Sequence, residues 1–270
     1  MPVLHAIVLG VVQGLSEFLP ISSSGHLELT RWLFDWNELP DDLETAFDVA
    51  VHVGTLLGAV AYLWRDGVRY TTAGVGPLVR REPLDADGRI AWALVVSAVP
   101  AGLTGVLLKD QVADLDRIWM IALMLIVFGL LLLLADRARG DRPVEGFGAR
   151  HALVMGVGQA LALQPGVSRS GTTITVGRFL GYSRDAAARV AFLMSLPVIA
   201  GAGLFQLSEA SVPASFWPPF VWGVVASAVT GWLAVWGTLR IVRSRSFAPF
   251  VAYRVLAGCA VLAILATGWR

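Results

Sequence analysis

Charge is scarce in this chain. Only 15% of its 270 residues are Asp, Glu, Lys or Arg, against 56% hydrophobic, and the mean hydropathy is +0.67. A soluble globule needs a solvated polar surface that this composition does not supply, so the chain reads as an integral membrane protein. A helical span takes roughly 20 apolar residues, which leaves room for about six to eight spans with short loops and none for a large soluble domain. Cysteine is nearly absent: Cys259 stands alone, which excludes an intramolecular disulfide and a cysteine metal site. Its expected role is small apolar packing. The 21 basic and 20 acidic residues form no basic stripe or arm, so nothing calls for nucleic acid. The N-terminus lacks a basic stretch and an Ala-x-Ala type cleavage site, so residues 4–12 are expected to stay in the fold.

Within this apolar background lies one polar run, Gln13-Gly-Leu-Ser-Glu17-Phe-Leu-Pro20-Ile-Ser22-Ser23-Ser24-Gly25-His26. It interrupts the first apolar segment before that segment could cross about 30 Å of hydrocarbon. Non-helical backbone at membrane depth is tolerated only in protein or around a wet cavity, so residues 4–34 read as a helix-break-helix re-entrant hairpin. The run has a partner downstream. Gln159, Leu161, Ser168, Ser170 and Gly171 fall without a gap on Gln13, Leu15, Ser22, Ser24 and Gly25, around a second break at Pro165-Gly166. Trp92-Ala-Leu-Val95-Val-Ser97-Ala98-Val99 likewise resembles Trp222-Gly-Val-Val225-Ala-Ser227-Ala228-Val229.

Full spans are expected at about 45–64, 90–108 and 118–135, with a charged loop at 65–89, a short one at 109–117 and a linker at 136–150. A broken segment at about 151–181 and spans near 186–206, 217–239 and 247–267 complete the second half. The expected fold is all-α, a single membrane domain over 1–270. It is an inverted repeat of about 1–140 and 147–270, each half a re-entrant hairpin plus three transmembrane helices. Three spans per half place the second half in the opposite orientation. Arg65, Arg69, Arg80, Arg81, Arg89, Arg137, Arg139, Arg142, Arg150, Arg240, Arg243 and Arg245 then share one face, which the positive-inside rule makes cytoplasmic. The opposite connections carry Asp35, Glu38, Asp41, Asp42 and Glu44 in one and Glu209 in the other, and both termini are expected outside.

Two broken hairpins entering from opposite faces can meet near the midplane and aim helix N-termini at an anion. Ser22, Ser168 and Ser170 supply hydroxyls, and the helix after Gly166 supplies free amides. Arg169 is expensive at membrane depth without a partner; it either clamps phosphate oxygens or pairs with Glu17 to hold the hairpins together. Glu17 reads either as a carboxylate hydrogen-bonded between helices or as a ligand for a hard divalent cation that also touches phosphate. His26 is a candidate for proton transfer, with a satisfied core histidine as the bland alternative. Ser23, three residues before His26, is close enough for a nucleophile and base pair, although Ser and Gly also serve close helix packing. Ser168 and Thr173 suit phosphate oxygens. Asp48 and His52, at i and i+4, either support the site or form a helix-end pair. Trp32, Trp36, Trp64, Trp217 and Trp269 fall at span ends, where interfacial tryptophans gather.

These residues resemble the undecaprenyl pyrophosphate phosphatase family, bacterial membrane enzymes of the bacitracin-resistance type, over essentially the whole length. The resemblance rests on Gln13-x-x-x-Glu17-Phe-Leu-Pro-x-Ser-Ser-x-Gly-His26 and Pro165-Gly-x-Ser168-Arg169-Ser170-Gly-x-Thr173, with further agreement at Phe247-x-Pro249-Phe250 and Tyr253-Arg254. It implies hydrolysis of undecaprenyl pyrophosphate to the monophosphate carrier in the bacterial cytoplasmic membrane, at a site opening toward the outer face. By the same resemblance Gln13 and Glu17 look like the metal pair for magnesium or calcium, Ser23 the nucleophile and His26 the proton-transfer group. Ser168, Arg169 and Thr173 look like the pyrophosphate clamp. Position 13 departs from the pattern: many relatives have Glu, so one negative charge is missing here.

The expected partners are the polyprenyl pyrophosphate and membrane lipids, with a homodimer as the oligomer to test. A secondary transporter or lipid flippase is the rival, because inverted repeats with broken midplane helices are also a transporter architecture.

Overall fold

A computed structural model describes residues 1–36, 38–107, 117–209 and 212–269, residues 207–209 by backbone alone. The expected connection at 109–117, apart from Arg117, and the side chain of Glu209 lie outside the described residues. Helix α1 (Val3–Phe18) stops where Pro20 forces Leu19 into an extended conformation (ψ 140°). Three irregular residues follow, ending in Ser22 at φ 79°, and α2 (Ser23–Phe34) departs from there. Pro40 and the acidic residues Asp41, Asp42 and Glu44 open α3 (Asp41–Tyr62), where negative charge suits the positive end of a helix.

The expected loop at 65–89 is mostly a helix, α4 (Trp64–Arg80), which ends at Arg81 in the left-handed region (φ 59°). Charge alone suggested a loop, but the pattern is amphipathic. Tyr70, Gly74 and Pro77 are buried, Arg69 pairs with Asp87 at 2.7 Å, and Trp64, Val68, Val75, Leu78 and Val79 are exposed. A helix of this kind lies in the plane of the interface with its apolar residues toward lipid.

The second span is made of two helices, α5 (Ala86–Val96) and α6 (Ala98–Leu107), divided at Ser97. Pro100, in the first turn of α6, has no amide hydrogen to continue the ladder across that point. Helix α7 (Ile118–Asp136) is the most apolar of all. A linker with one short turn (Val144–Gly146) leads into α8 (Ala149–Leu161). Then come α9 (Arg169–Phe179), α10 (Arg184–Glu209), α11 (Trp217–Val242) and α12 (Ala248–Ala266). Among the described residues six segments are long and apolar enough to cross a membrane, namely Asp41–Tyr62, Ala86–Leu107, Ile118–Asp136, Arg184–Gln206, Ala214–Val242 and Ala248–Ala266. The chain is a multi-pass, all-helical membrane protein; an isolated bridge between Arg142 and Tyr182 is the only β pairing among the described residues.

Two apolar clusters carry the packing. One holds α1 and α3 against α11 through Ala6, Leu9, Phe47, Val51 and Phe220. The larger one runs through Phe18, Leu132, Met155, Ile174, Phe192 and Phe250, so it buttresses the two breaks from the side of α7 to α12.

Candidate functional site

The two breaks share one local geometry. Ser22 and Ser168 both sit at positive φ, 79° and 75°, and both side chains cap the helix that follows, accepting from Gly25 N at 3.4 Å and Gly171 N at 3.1 Å. Positive φ in a residue with a Cβ costs on the order of 1–3 kcal/mol, and strain of that kind gathers at functional sites. The breaks also touch each other. Gly166 N donates to Ser22 Oγ at 3.1 Å, and Ser170 Oγ donates to the Leu19 carbonyl at 3.0 Å. Glycine is required at two of these positions: Gly166 has φ +91°, and a Cβ on Gly25 would lie 3.1 Å from Gly166 N and from Ile121.

Because each helix begins just after its cap, Ser23 and Arg169 are the first residues of α2 and α9. Both reach the same carboxylate. Glu17, at the end of α1 with a side chain 3% exposed, accepts Arg169 Nη2 on Oε1. On Oε2 it accepts Ser23 Oγ at 2.5 Å and Gln13 Nε2 at 2.9 Å, and His52 Nε2 stands 3.6 Å away. Glu17, Ser23, His52 and Arg169 face a cavity of about 380 Å³. Its polar lining comes from Glu17, Ser22, Ser23, Ser24, Gln159, Ser168, Arg169 and Gln206, and α3 adds Thr45, Asp48 and His52. Its apolar lining includes Ala101 of α6, Leu163, and Val198, Ile199 and Ala202 of α10. A cavity with both kinds of lining suits an amphiphile whose charged group meets Arg169 and the serines.

The remaining expected residues have other surroundings. The Ser23–His26 pair is not formed: Ser23 turns back to Glu17, while His26 Nδ1 faces its own turn's Ser22 carbonyl at 2.6 Å. Nδ1 therefore carries the hydrogen, and His26 Nε2 accepts from the Tyr253 hydroxyl at 2.8 Å, outside the cavity lining. Thr173 is fully buried and donates to the Arg169 carbonyl at 2.7 Å, so it steadies the first turn of α9 and does not line the cavity. Ser170 and Gly166 join the breaks and likewise do not line it. Gln13 lies behind Glu17, with its Oε1 buried and unpartnered.

Three residues matter more than their sequence signals suggested. His52 donates from Nδ1 to the Asp48 carbonyl at 2.7 Å, which leaves Nε2 facing Glu17. Asp48 is held by the buried Arg31, whose Nη1 lies 3.0 Å from Oδ2. Gln159, the repeat partner of Gln13, lines the cavity, donates to the Ser97 carbonyl at 3.3 Å and keeps a buried Oε1 unpartnered. The matching glutamines of the two runs were the signal that could have found it.

Among the described residues no three His, Cys, Asp or Glu side chains gather as a metal cluster. The donor chemistry of Gln13 and Glu17 nevertheless suits a hard cation: Gln13 keeps an amide oxygen without a partner while its Nε2 donates to the Glu17 carboxylate, and Mg²⁺ or Ca²⁺ would draw its remaining oxygens from phosphate and water.

Comparison with known proteins adds the family. The model of the family described as "Bacitracin resistance protein BacA" matches residues 6–260. The chain belongs to that family. It is 46% identical over 274 residues to an undecaprenyl-diphosphatase of Pelobacter propionicus, covering 99% of both chains. It is 44% identical over 278 residues to one of Thermomicrobium roseum, covering 98% of this chain and 99% of the relative. A more distant relative, undecaprenyl-diphosphatase 2 of Streptomyces avermitilis, is 37% identical over 280 residues, with 98% and 95% covered.

Proposed function

We propose that this chain is a membrane phosphatase that hydrolyses undecaprenyl pyrophosphate to undecaprenyl phosphate and inorganic phosphate, returning the lipid carrier to envelope synthesis. The observation that carries the reading is the meeting of Ser23 and Arg169 on Glu17 in a cavity that has an apolar lining as well as a polar one. Arg169 is neutralised by Glu17. An arriving pyrophosphate takes over that guanidinium, whose planar fork suits phosphate oxygens, while Ser22, Ser168 and the first amides of α9 surround it. Charge developing on the phosphoryl oxygens then meets fixed donors in a site shielded from bulk water.

Ser23 Oγ attacks the terminal phosphorus and gives its proton to Glu17. The bond from that phosphorus to the bridging oxygen breaks and the lipid monophosphate leaves. Water then hydrolyses the phosphoserine, releasing inorganic phosphate. This route is favoured over water activated by His26 because Ser23 lines the cavity and already bonds Glu17, whereas both ring nitrogens of His26 are engaged elsewhere. Gln13 and Glu17 are the residues that would hold a magnesium or calcium ion. Such an ion, when bound, offsets the charge of the pyrophosphate.

The two helix pairs α1–α2 and α8–α9 are the re-entrant hairpins of an inverted repeat in this reading. The arginine-rich connections face the cytoplasm, both termini lie outside and the cavity opens toward the outer face of the bacterial inner membrane. Phosphate release from a long-chain polyprenyl pyrophosphate by detergent-solubilised protein, with and without EDTA, tests the activity, and no membrane is present for a transporter to work across. Release is expected and should be lost in Arg169→Ala; no release with any divalent metal overturns the reading. Labelling of residues 136–150 from the outside of intact cells would overturn the topology.

A further inference from the structure

Outside the cavity, a side chain from the last helix bonds to both breaks. Arg254 of α12 is 0% exposed and among the largest fully enclosed side chains. Its hydrogen bonds go to main-chain carbonyls: Nε donates to Leu125 at 3.0 Å, Nη1 to Pro20 at 3.1 Å, and Nη2 to Gly166 at 2.8 Å, Val167 at 3.0 Å and Met124 at 3.3 Å. The first break, the second break and α7 thus converge on one planar group.

A buried cation without a carboxylate is costly unless its donors are used, and carbonyls in broken backbone have no helical amide to accept from. Here each solves the other's problem. Pro20, Gly166 and Val167 direct their carbonyls at Arg254, while the amide of Gly166 points to Ser22 Oγ. The residues that leave the two breaks, Ser22-Ser23 and Ser168-Arg169, are the ones that reach the cavity. Arg254 itself does not line it.

We propose that Arg254 is a positioning residue: by gripping the carbonyls of both breaks it sets the distance between Ser23 and Arg169, and through it the rate of phosphoryl transfer. The rate part rests on the phosphatase reading; the grip on the breaks does not. Lysine cannot replace it, because a compact ammonium has neither the fork nor the reach to serve three segments.

The test uses the full chain in detergent as wild type, Arg254→Lys and Arg254→Gly. Amide hydrogen exchange is followed over residues 19–25 and 162–168, alongside thermal unfolding and steady-state phosphate release. Folded Arg254→Lys is expected to exchange the amides of both breaks roughly tenfold faster or more. Its kcat should fall on the order of 100-fold, with KM changed much less. Added guanidinium, but not urea, should restore part of the rate of Arg254→Gly. Unchanged exchange at both breaks in folded Arg254→Lys overturns the proposal. So does a rate loss that merely follows the unfolded fraction and is not recovered by guanidinium. If the wild type releases no phosphate, the phosphatase reading falls, while the exchange result still decides the role of Arg254.

Discussion

The stretch 22–25 and the stretch 168–171 have nearly the same backbone and opposite chemistry. Each passes through a serine at φ near 75–79°, each serine caps a helix by accepting from the glycine three residues on, and each helix then starts with the residue that reaches Glu17. In the first that residue is a hydroxyl, and in the second a guanidinium. The shared part is what strain and capping make hard to invent, and the differing part is a single side chain at the first position of the helix. Two copies of one structural solution can therefore be specialised by changing what they present, with the break itself left alone.

Exchanging the presented groups is the severest test of this division. The double variant Ser23→Arg/Arg169→Ser keeps both residue types but moves each to the other helix, and phosphate release should fall by on the order of 10³-fold or more, close to that of Arg169→Ala. Activity near wild type would mean that the halves are interchangeable. Ser23→Ala should lose on the order of 100-fold or more and give no trapped phosphoserine in rapid-quench labelling, while binding of a non-hydrolysable pyrophosphate persists. Gln13→Glu adds a negative charge beside Glu17. It should stay active and need less added divalent metal after EDTA treatment, and an inactive but folded variant would remove Gln13 from the metal pair. The smallest effect belongs to Ser168→Gly, in which relief of positive φ opposes loss of the cap. Thermal unfolding should place it within about 1 kcal/mol of wild type.

Hydropathy placed the six spans well, because a run of apolar residues such as Ile118–Asp136 has few other readings. The breaks were legible too, since Pro20 and Pro165-Gly166 stand inside apolar surroundings next to serines. What failed was direction. Spacing of three residues put Ser23 and His26 on one turn, but the first residue of a helix faces whatever precedes the cap, and for Ser23 that is Glu17 at the end of α1. The histidine had a nearer acceptor in its own turn, the Ser22 carbonyl. The charge-rich stretch after Tyr62 was read as a loop because charge outweighed period, yet its apolar residues recur on one helical face. His52 and Arg254 depend on packing between helices far apart in the chain. A histidine four residues after an aspartate looks the same in sequence whether it faces lipid, solvent or a cavity.

The pairing of Glu17 with Arg169 has one more consequence. The carboxylate occupies the place that a phosphate oxygen would take, so the resting protein carries an internal stand-in for its own substrate. Any anion that enters must outcompete a partner tethered to the same fold. Inorganic phosphate brings charge but no lipid tail for the apolar lining of the cavity, and so it is expected to be a poor competitor. The site is thereby biased toward releasing the small product and keeping its grip for anions that arrive with a long chain.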